Sequence, residues 1–360
     1  MTLKVKKTIQ AKIVYLTKLK QRLLKEEYES LQRYLHGECV EFYSANKQQA
    51  ERFYKKVKPK KEYPLSIRKD LLKIEKRDTK IAEYWARIPV KGRRGGVWIA
   101  IKPHCPIELD MEICESKLLK RNGDFFLYIV VEKDIEPKTD CNSILAVDLG
   151  IHNIAVTVNP ETKETHFYGK RLRALRGHYF HLRRKLPNRK AIKKVGNHEK
   201  RIVNHELHKI SKAIVEEAKR TNSAIVLGKL NGVRKNGNGK GRRFNRKLNS
   251  FPYHKLSSYI KYKAEWLGIP VMMVSEAYTS QTCSICGGRG VRSNGLFKCS
   301  CGAKLNADYN GAKNILKRAL GLVSKVGASV NQLRTNPTDS LNPMMRLEAP
   351  AIAGVVHELL

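Results

Sequence analysis

A chain of 360 residues with 71 Lys+Arg against 33 Asp+Glu carries a formal net charge of +38, so about one residue in five is a fixed cation and a polyanionic partner is expected. Its composition, 41% hydrophobic and 8% aromatic, can bury a sizeable core divided among two or three domains, which excludes wholesale disorder and a single small module. Apolar runs such as FFLYIVV (125–131) are too short to span a membrane, and MTLKVKKTIQ lacks a signal-peptide stretch; a soluble intracellular protein is expected, with secreted, membrane and small-metabolite roles disfavoured.

Residues 3–16 mix β-branched residues with lysines and read as a strand, after which leucines at helical spacing predict a basic helical segment to about residue 83. RIPVKGRRGGVWIAIKP (88–103) returns to strands broken by a Gly-Gly turn, RNGDFFLYIVVEKDI (121–135) adds a hairpin-like strand, and PKTDCN (137–142) reads as a linker. SILAVDLGIHNIAVTV (143–158) and then ETHFYG predict an antiparallel meander of three strands. From Lys170 to Arg220 the chain turns helical, with 17 Lys+Arg against 4 acids and an apolar stripe of Leu207, Ile210, Ile214 and Ala218. AIVLG (224–228) and IPVMMV (269–274) read as buried strands on either side of a helix at 250–268, and a last helix covers 307–319. This β-β-β-α-β-α-β-α order predicts an RNase H-like α/β domain. The tail from Gly321 holds three Lys+Arg and three acids among several Pro and Asn, and is expected to be disordered.

Cys283, Cys286, Cys299 and Cys301 form CSIC and CSC pairs with twelve residues between them. Two short knuckles of this kind bring four thiolates together as a closed tetrahedral zinc site, structural rather than catalytic, with Gly287, Gly288 and Gly302 in the turns.

Asp148 lies mid-strand in ILAVDLG, where an ionised carboxylate is costly unless it is paired or bound to a cation. Asp308 lies in the first turn of ADYNGAKNILKRA, on the face of Ala312 and Ile315, so it points toward the sheet; Gly311 lets that helix approach closely. Two carboxylates converging on one sheet suit a divalent-metal phosphodiesterase.

SILAVDLGIHNIAVTV, EAYTSQTCSICG (276–287), FKCSCG…NADYNGAKNIL (297–316) and, more loosely, the LKVKK strand resemble the TnpB family, the OrfB proteins of bacterial and archaeal insertion sequences and relatives of the miniature type V CRISPR nucleases. The resemblance covers most of residues 1–320. It implies a β-barrel-like wedge domain (1–140) with a helical recognition insertion (about 17–83), then a RuvC-like nuclease domain (141–320) with a zinc-ribbon insertion (about 279–304). It also implies RNA-guided cleavage of DNA beside a short element-specific motif, with guide RNA and target DNA as partners, structural Zn²⁺, catalytic Mg²⁺, and a prokaryotic cytoplasmic setting at the nucleoid.

Many members of that family carry a glutamate where this chain has Gly228. From Thr221 to Asp308 the acids are Glu265, Glu276 and Asp308. Glu265 sits about half a turn from Leu256, Ile260 and Leu267 and should face solvent, whereas Glu276 ends the strand IPVMMV beside AIVLG and can reach the space left at Gly228. Glu276, a region to which some relatives are thought to move this residue, is therefore the expected third carboxylate beside Asp148 and Asp308. A nuclease-inactive RNA-guided DNA-binding protein is the rival reading; a strand-joining transposase is disfavoured because no tyrosine or His-hydrophobic-His nucleophile motif is present.

The acid-free basic segments 171–194 and 232–247 interleave Tyr179, Phe180 and Phe244 with cations, as expected of surfaces that track phosphates and stack on bases. NGNGKG (236–241) lacks phosphate-loop spacing and reads as a mobile loop beside the active site.

Overall fold

The computed structural model describes residues 2–326 apart from 59–60, 109–110, 122, 230–240, 242–244, 247 and 249–250; most of the Gly-rich stretch, Phe244 and the tail beyond 326 lie outside the described residues. Contacts divide the chain into two compact units, Lys4–Asp134 and the chain from Ile135 onward together with its first residues. No helix of the described residues is long and apolar enough to cross a membrane.

The first unit is built on β1 (Leu3–Ile13), β2 (Leu65–Ile67), β3 (Lys73–Lys76), β4 (Tyr84–Ile88), β5 (Val97–Pro103), β6 (Glu112–Arg121) and β7 (Asp124–Ile135). They form one seven-stranded sheet in the order β2-β6-β7-β1-β5-β4-β3, open rather than closed because its end strands β2 and β3 do not pair with each other. Alternation builds it: along β7, Phe125, Leu127, Ile129 and Val131 are buried while the residues between them stay partly exposed. The turn from β4 to β5 needs glycine at Gly96, where φ is +79° and a Cβ would stand 2.5 Å from the Ile88 carbonyl oxygen.

Between β1 and β2 lie α1 (Lys18–Leu35), capped by the Thr17 hydroxyl, and α2 (Ser44–Phe53). Glu27 of α1 is 3% exposed and accepts hydrogen bonds from the Tyr43 and Lys91 backbone N–H groups and from Asn46 Nδ2, which fixes the two helices to each other and to the β4–β5 turn. The helical stretch expected to reach about residue 83 ends at Phe53. Beyond it, Leu65–Ile67 and Lys73–Lys76 are strands that the flanking lysines disguised, because they extend the sheet edges where charged neighbours are solvated.

In the second unit β8 (Ser143–Asp148), β9 (Ala155–Val158) and β10 (Thr165–Tyr168) form the expected antiparallel meander. The chain then passes through α3 (Lys170–Arg184) and α4 (Arg189–Arg220) to β11 (Ser223–Lys229), parallel to β8, and through α5 (Tyr253–Trp266) to β12 (Val271–Ser275), parallel to β11. The sheet order is β10-β9-β8-β11-β12.

Each face of this sheet has its own core. Leu145, Val147, Ile225 and Leu227 pack with Leu207, Ile210 and Ile214 of α4 and Leu256 and Ile260 of α5. Ile144, Ala146, Val226, Met272 and Val274 pack with Ala312, Ile315, Leu316 and Ala319 of α6 (Ala307–Val326). Two expectations need correction here. Leu267, placed on the α5 stripe, is 38% exposed because the helix has ended at Trp266, and Ile269 joins the core after the turn at Gly268. IPVMMV is not buried throughout: β12 is the edge strand, so Met273 points outward at 41% exposure.

Candidate active site and metal centre

The period-2 rule decides which side chains meet beyond the ends of the parallel strands. In β8 residues 144 and 146 face α6, in β11 residues 224 and 226, and in β12 residues 272 and 274, so positions 148, 228 and 276 continue the row toward the same helix. Register brings them close: Val147 lies opposite Leu227, Gly228 opposite Val274, and Glu276 two residues further along the same row. The crevice outside the carboxyl ends of parallel strands is the general ligand site of open α/β sheets.

Asp148 is half-buried against α6, where Gly311 makes the approach possible: a Cβ there would stand 2.8 Å from Asp148 Oδ2. Asp308 follows the helix cap, in which Asn306 Oδ1 accepts from the Asp308 and Tyr309 N–H groups. It is 2% exposed, accepts from Asn153 Nδ2 at 2.8 Å on Oδ2, and takes the Arg292 guanidinium on Oδ1 at 2.6 Å. Glu276 follows β12 directly, and its carboxylate occupies the space above Gly228: a Cβ built at Gly228 would overlap its Cγ, Cδ and Oε1. Arg318 of α6 donates to the carbonyls of Ser275 and Ala277 and so fixes the backbone on both sides of Glu276.

The electrostatics of these groups fit a cation. Burial, then repulsion from Asp308, pushes the Asp148 carboxyl up to about 7, and Arg292 offsets only part of this. Burial, then repulsion from Asp148, pushes Glu276 up to about 8, with Arg318 opposing. Glu276 Oε1 is enclosed with no hydrogen-bond partner, so two repelling carboxylates and an orphaned oxygen face one place. Glu265, by contrast, pairs with Lys261 at 3.8 Å on the helix surface.

Arg292 and Asn153 escaped the sequence reading. Arg292 belongs to the hairpin of β13 (Gly290–Ser293) and β14 (Leu296–Cys299), followed by β15 (Lys304–Asn306), and its charge in a basic chain looks like one more solvated cation. Only its pairing with Asp308 sets it apart.

The four cysteine sulfurs all lie within 4.8 Å of one another, with Cys283 to Cys301 at 3.8 Å and Cys286 to Cys299 at 3.5 Å. A tetrahedral zinc site with Zn–S of about 2.3 Å requires sulfurs ~3.8 Å apart, so the donor set fits that ion. Gly287 and Gly302 take φ of +77° and +86° to close the knuckles. The backbone N–H of Cys301, chiefly, lowers the Cys299 thiol to about 6, whereas against the Ala303 N–H, Cys286 and Cys299 push Cys301 up to about 12. The neighbouring sulfurs thus share protons that a metal would displace. Phe297, fully buried with Cys283 and Ala307, is the small core beneath. Asn310 and Asn314 of α6 then clasp the knuckle backbone: Asn310 accepts from Ser284 N–H at 2.8 Å and donates to the Thr282 carbonyl, and Asn314 donates to the carbonyls of Thr279 and Thr282. The cysteine unit is thereby locked to the helix that carries Asp308.

Among the described residues one other group, Glu164, His166 and Glu217, brings its ligand atoms within 4.8 Å of one another. There Arg220 pairs with Glu164, and the Thr157 and Tyr168 hydroxyls donate to buried Glu217.

On α3, Tyr179 is not the stacking surface expected: it is 9% exposed and bonded through its hydroxyl to His198 at 2.7 Å. Phe180 keeps the expected role of an aromatic among cations, with Arg246 3.7 Å and Arg184 5.9 Å from its ring.

Residues 253–315, from α5 through the cysteine unit to the first part of α6, match the family model described as Cas12f1-like, TNB domain. A TnpB-like protein of Methanocaldococcus jannaschii is 29% identical over 225 residues, 55% of this chain and 80% of that protein. A CRISPR-associated endodeoxyribonuclease Cas12f1 of Sulfoacidibacillus thermotolerans is 32% identical over 238 residues, 57% of this chain but only 53% of the relative's length. Among solved structures, a Cas12f1–sgRNA–target DNA complex matches 76% of this chain and 68% of its own with a TM-score of 0.49 and 17% identity. The chain is thus similar to TnpB-like proteins and, in its 253–315 region, to the miniature Cas12f-type effectors.

Proposed function

We propose that the protein is a transposon-associated, RNA-guided DNA endonuclease that uses Mg²⁺ and cuts target DNA beside a short element-specific motif. The 141–320 region acts as its RuvC-like nuclease domain with a zinc-ribbon insertion at about 279–304, and 1–140 as a wedge domain. The mixed strand order of the second unit, three antiparallel strands followed by two parallel ones, supports the RNase H-like reading. The observation that carries the proposal is the position of Glu276: its carboxylate stands over Gly228, in electrostatic contact with Asp148.

In this reading Asp148, Glu276 and Asp308 hold divalent cations, which supply an activated water and charge stabilisation at the leaving oxygen when bound. The chain's own work is to place the ligands. β8 and β12 bring Asp148 and Glu276 to one face, Gly228 leaves Glu276 its room, Asn153 and Arg292 hold Asp308, and Arg318 fixes the Glu276 backbone. Base pairing with a guide RNA supplies sequence specificity, while the protein reads backbone shape and the short flanking motif. The rival, an RNA-guided binding protein that lost its nuclease at Gly228, rests on that glycine alone and leaves the location of Glu276 unexplained.

Sequencing the RNA that copurifies with the protein, then assaying linear DNA with that RNA and a matching target, tests the reading. Mg²⁺-dependent, guide-dependent cuts are expected; tight guide-dependent binding that never leads to cleavage establishes the rival.

A further inference from the structure

The second unit contains a cavity away from the carboxylates, an open cleft of 580 Å³ walled by α3, α4 and α5. Its lining holds four fixed cations, Arg176 and Arg183 of α3, Lys200 of α4 and Lys255 of α5, against one carboxylate, Glu199. We propose that this cleft binds the phosphodiester backbone of a nucleic-acid strand, with Glu199 as a positioning residue for an arginine pair and the two lysines on the facing walls.

Glu199 is 7% exposed and reaches both guanidiniums, Arg183 through Oε2 and Arg176 through Oε1 at 3.6 Å. One carboxylate therefore orients two planar donor forks but neutralises only one charge. Arg176 Nε is enclosed and its contact with Glu199 Oε1, at 3.6 Å, is longer than a hydrogen bond, so its donor capacity is not fully used. On the other wall Asn204 Oδ1 of α4 accepts from Lys255 Nζ of α5 at 2.6 Å, which ties that ammonium to α4. The excess charge is felt locally: burial, then Arg183, lowers the Arg176 pKa, and burial, then Lys200, lowers that of Lys255. An anion relieves both, and in a chain of net charge +38 the anion expected is a polymeric one. The inference rests on the RNA-guided reading and deepens it by naming a strand-binding site.

Gly196 makes the test clean. It lies inside α4 on the cleft wall, and a Cβ there meets nothing within 4 Å, so a side chain can leave the backbone there without a clash and the helix gains by losing a glycine. The probes are a fluorescein-labelled single-stranded RNA of about 20 nucleotides and its DNA counterpart, titrated into the full chain from low to physiological salt. Gly196→Glu is expected to weaken binding about tenfold or more at low salt while Gly196→Gln stays near wild type, both melting no lower than wild type. Lys200→Ala/Lys255→Ala is expected to reduce the slope of log K against log salt by about 1.4, two contacts at ~0.7 each for a single strand. Loss confined to RNA, confined to DNA, or shared by both supports the cleft and says which strand occupies it. Tight binding by the wild type, matched by Gly196→Glu and by the double variant, overturns the cleft and leaves the RNA-guided reading intact. A wild-type chain that binds neither strand overturns both.

Discussion

The Glu276 carboxylate fills the volume that a side chain at Gly228 would need, although Gly228 is in β11, Glu276 just follows the neighbouring β12, and the two are 48 positions apart. Glycine at 228 and glutamate at 276 are thus one feature, and either residue can be altered to test the other. Gly228→Ala should displace Glu276 at little cost in stability, because the overlapped atoms are the far end of a flexible side chain and alanine suits a strand better than glycine. Melting within a few degrees of wild type and DNA cleavage down about 100-fold or more are expected, since a small misplacement of a reacting group costs that much. Gly228→Glu combined with Glu276→Ala should recover part of the activity, measured as initial cleavage rate.

The carboxylate pair sets a pH dependence opposite to the common one. Glu276 and Asp148 have folded-state pKa values raised from 4.5 to about 8 and from 3.8 to about 7, so between those limits the folded chain binds more protons than the unfolded one. Without divalent metal, their contribution to stability is therefore greatest at low pH and is lost as pH rises through 7 to 8. Calorimetry in EDTA should show that Asp148→Asn is most stabilising at pH 8, less so at pH 5, and nearly neutral only below about pH 4, under the unfolded-state pKa. Added Mg²⁺ should raise the wild-type melting temperature more at pH 8.5 than at pH 6, because ionised carboxylates bind it. An equal Mg²⁺ effect at both values would contradict the assignment of these two groups as ligands.

Zinc should be structural. Elemental analysis of freshly purified protein is expected to give about one Zn²⁺ per chain, and Cys283→Ser to lower melting temperature and solubility rather than turnover alone. Because Asn310 and Asn314 tie the knuckle to α6, loss of zinc should also raise amide exchange around Asp308. Exchange at Asp308 that ignores chelation would refute that coupling. Asn314→Ala removes the side-chain donor to the Thr279 carbonyl and leaves the Thr282 carbonyl to Asn310, and should cost about 1–3 kcal/mol by denaturant titration.

Nonspecific affinity for nucleic acid should fall steeply with salt, because each phosphate contact releases counterions. A flat response between low and physiological salt would contradict the reading of the +38 charge as a polyanion-binding surface.

Local pattern made much of this legible. The apolar run SILAV announced β8, the spacing of the cysteines announced the four-sulfur cluster, and an acid set among apolar residues at Asp148 announced a carboxylate in need of a partner. The apolar row Ala312–Ile315 put Asp308 on the inward face of its helix. Tertiary pairing was not legible. Arg292 looks like any other cation until the hairpin folds onto Asp308, and Glu199 like any other helical acid until α3 brings two arginines to it. The strands at 65–67 and 73–76 were hidden because lysines beside short apolar runs are compatible with a helix face as well as with a sheet edge.

The central claim is that Glu276 completes a carboxylate trio with Asp148 and Asp308, and comparison of Glu276→Ala with Glu265→Ala in a guided cleavage assay tests it most directly. With guide RNA from the element's own 3′ end and Mg²⁺, Glu276→Ala is expected to abolish cutting as fully as Asp148→Ala or Asp308→Ala while guide and target binding stay near wild type, and Glu265→Ala to cut normally. A Glu276→Ala protein that still cuts at the wild-type rate would place the third ligand elsewhere.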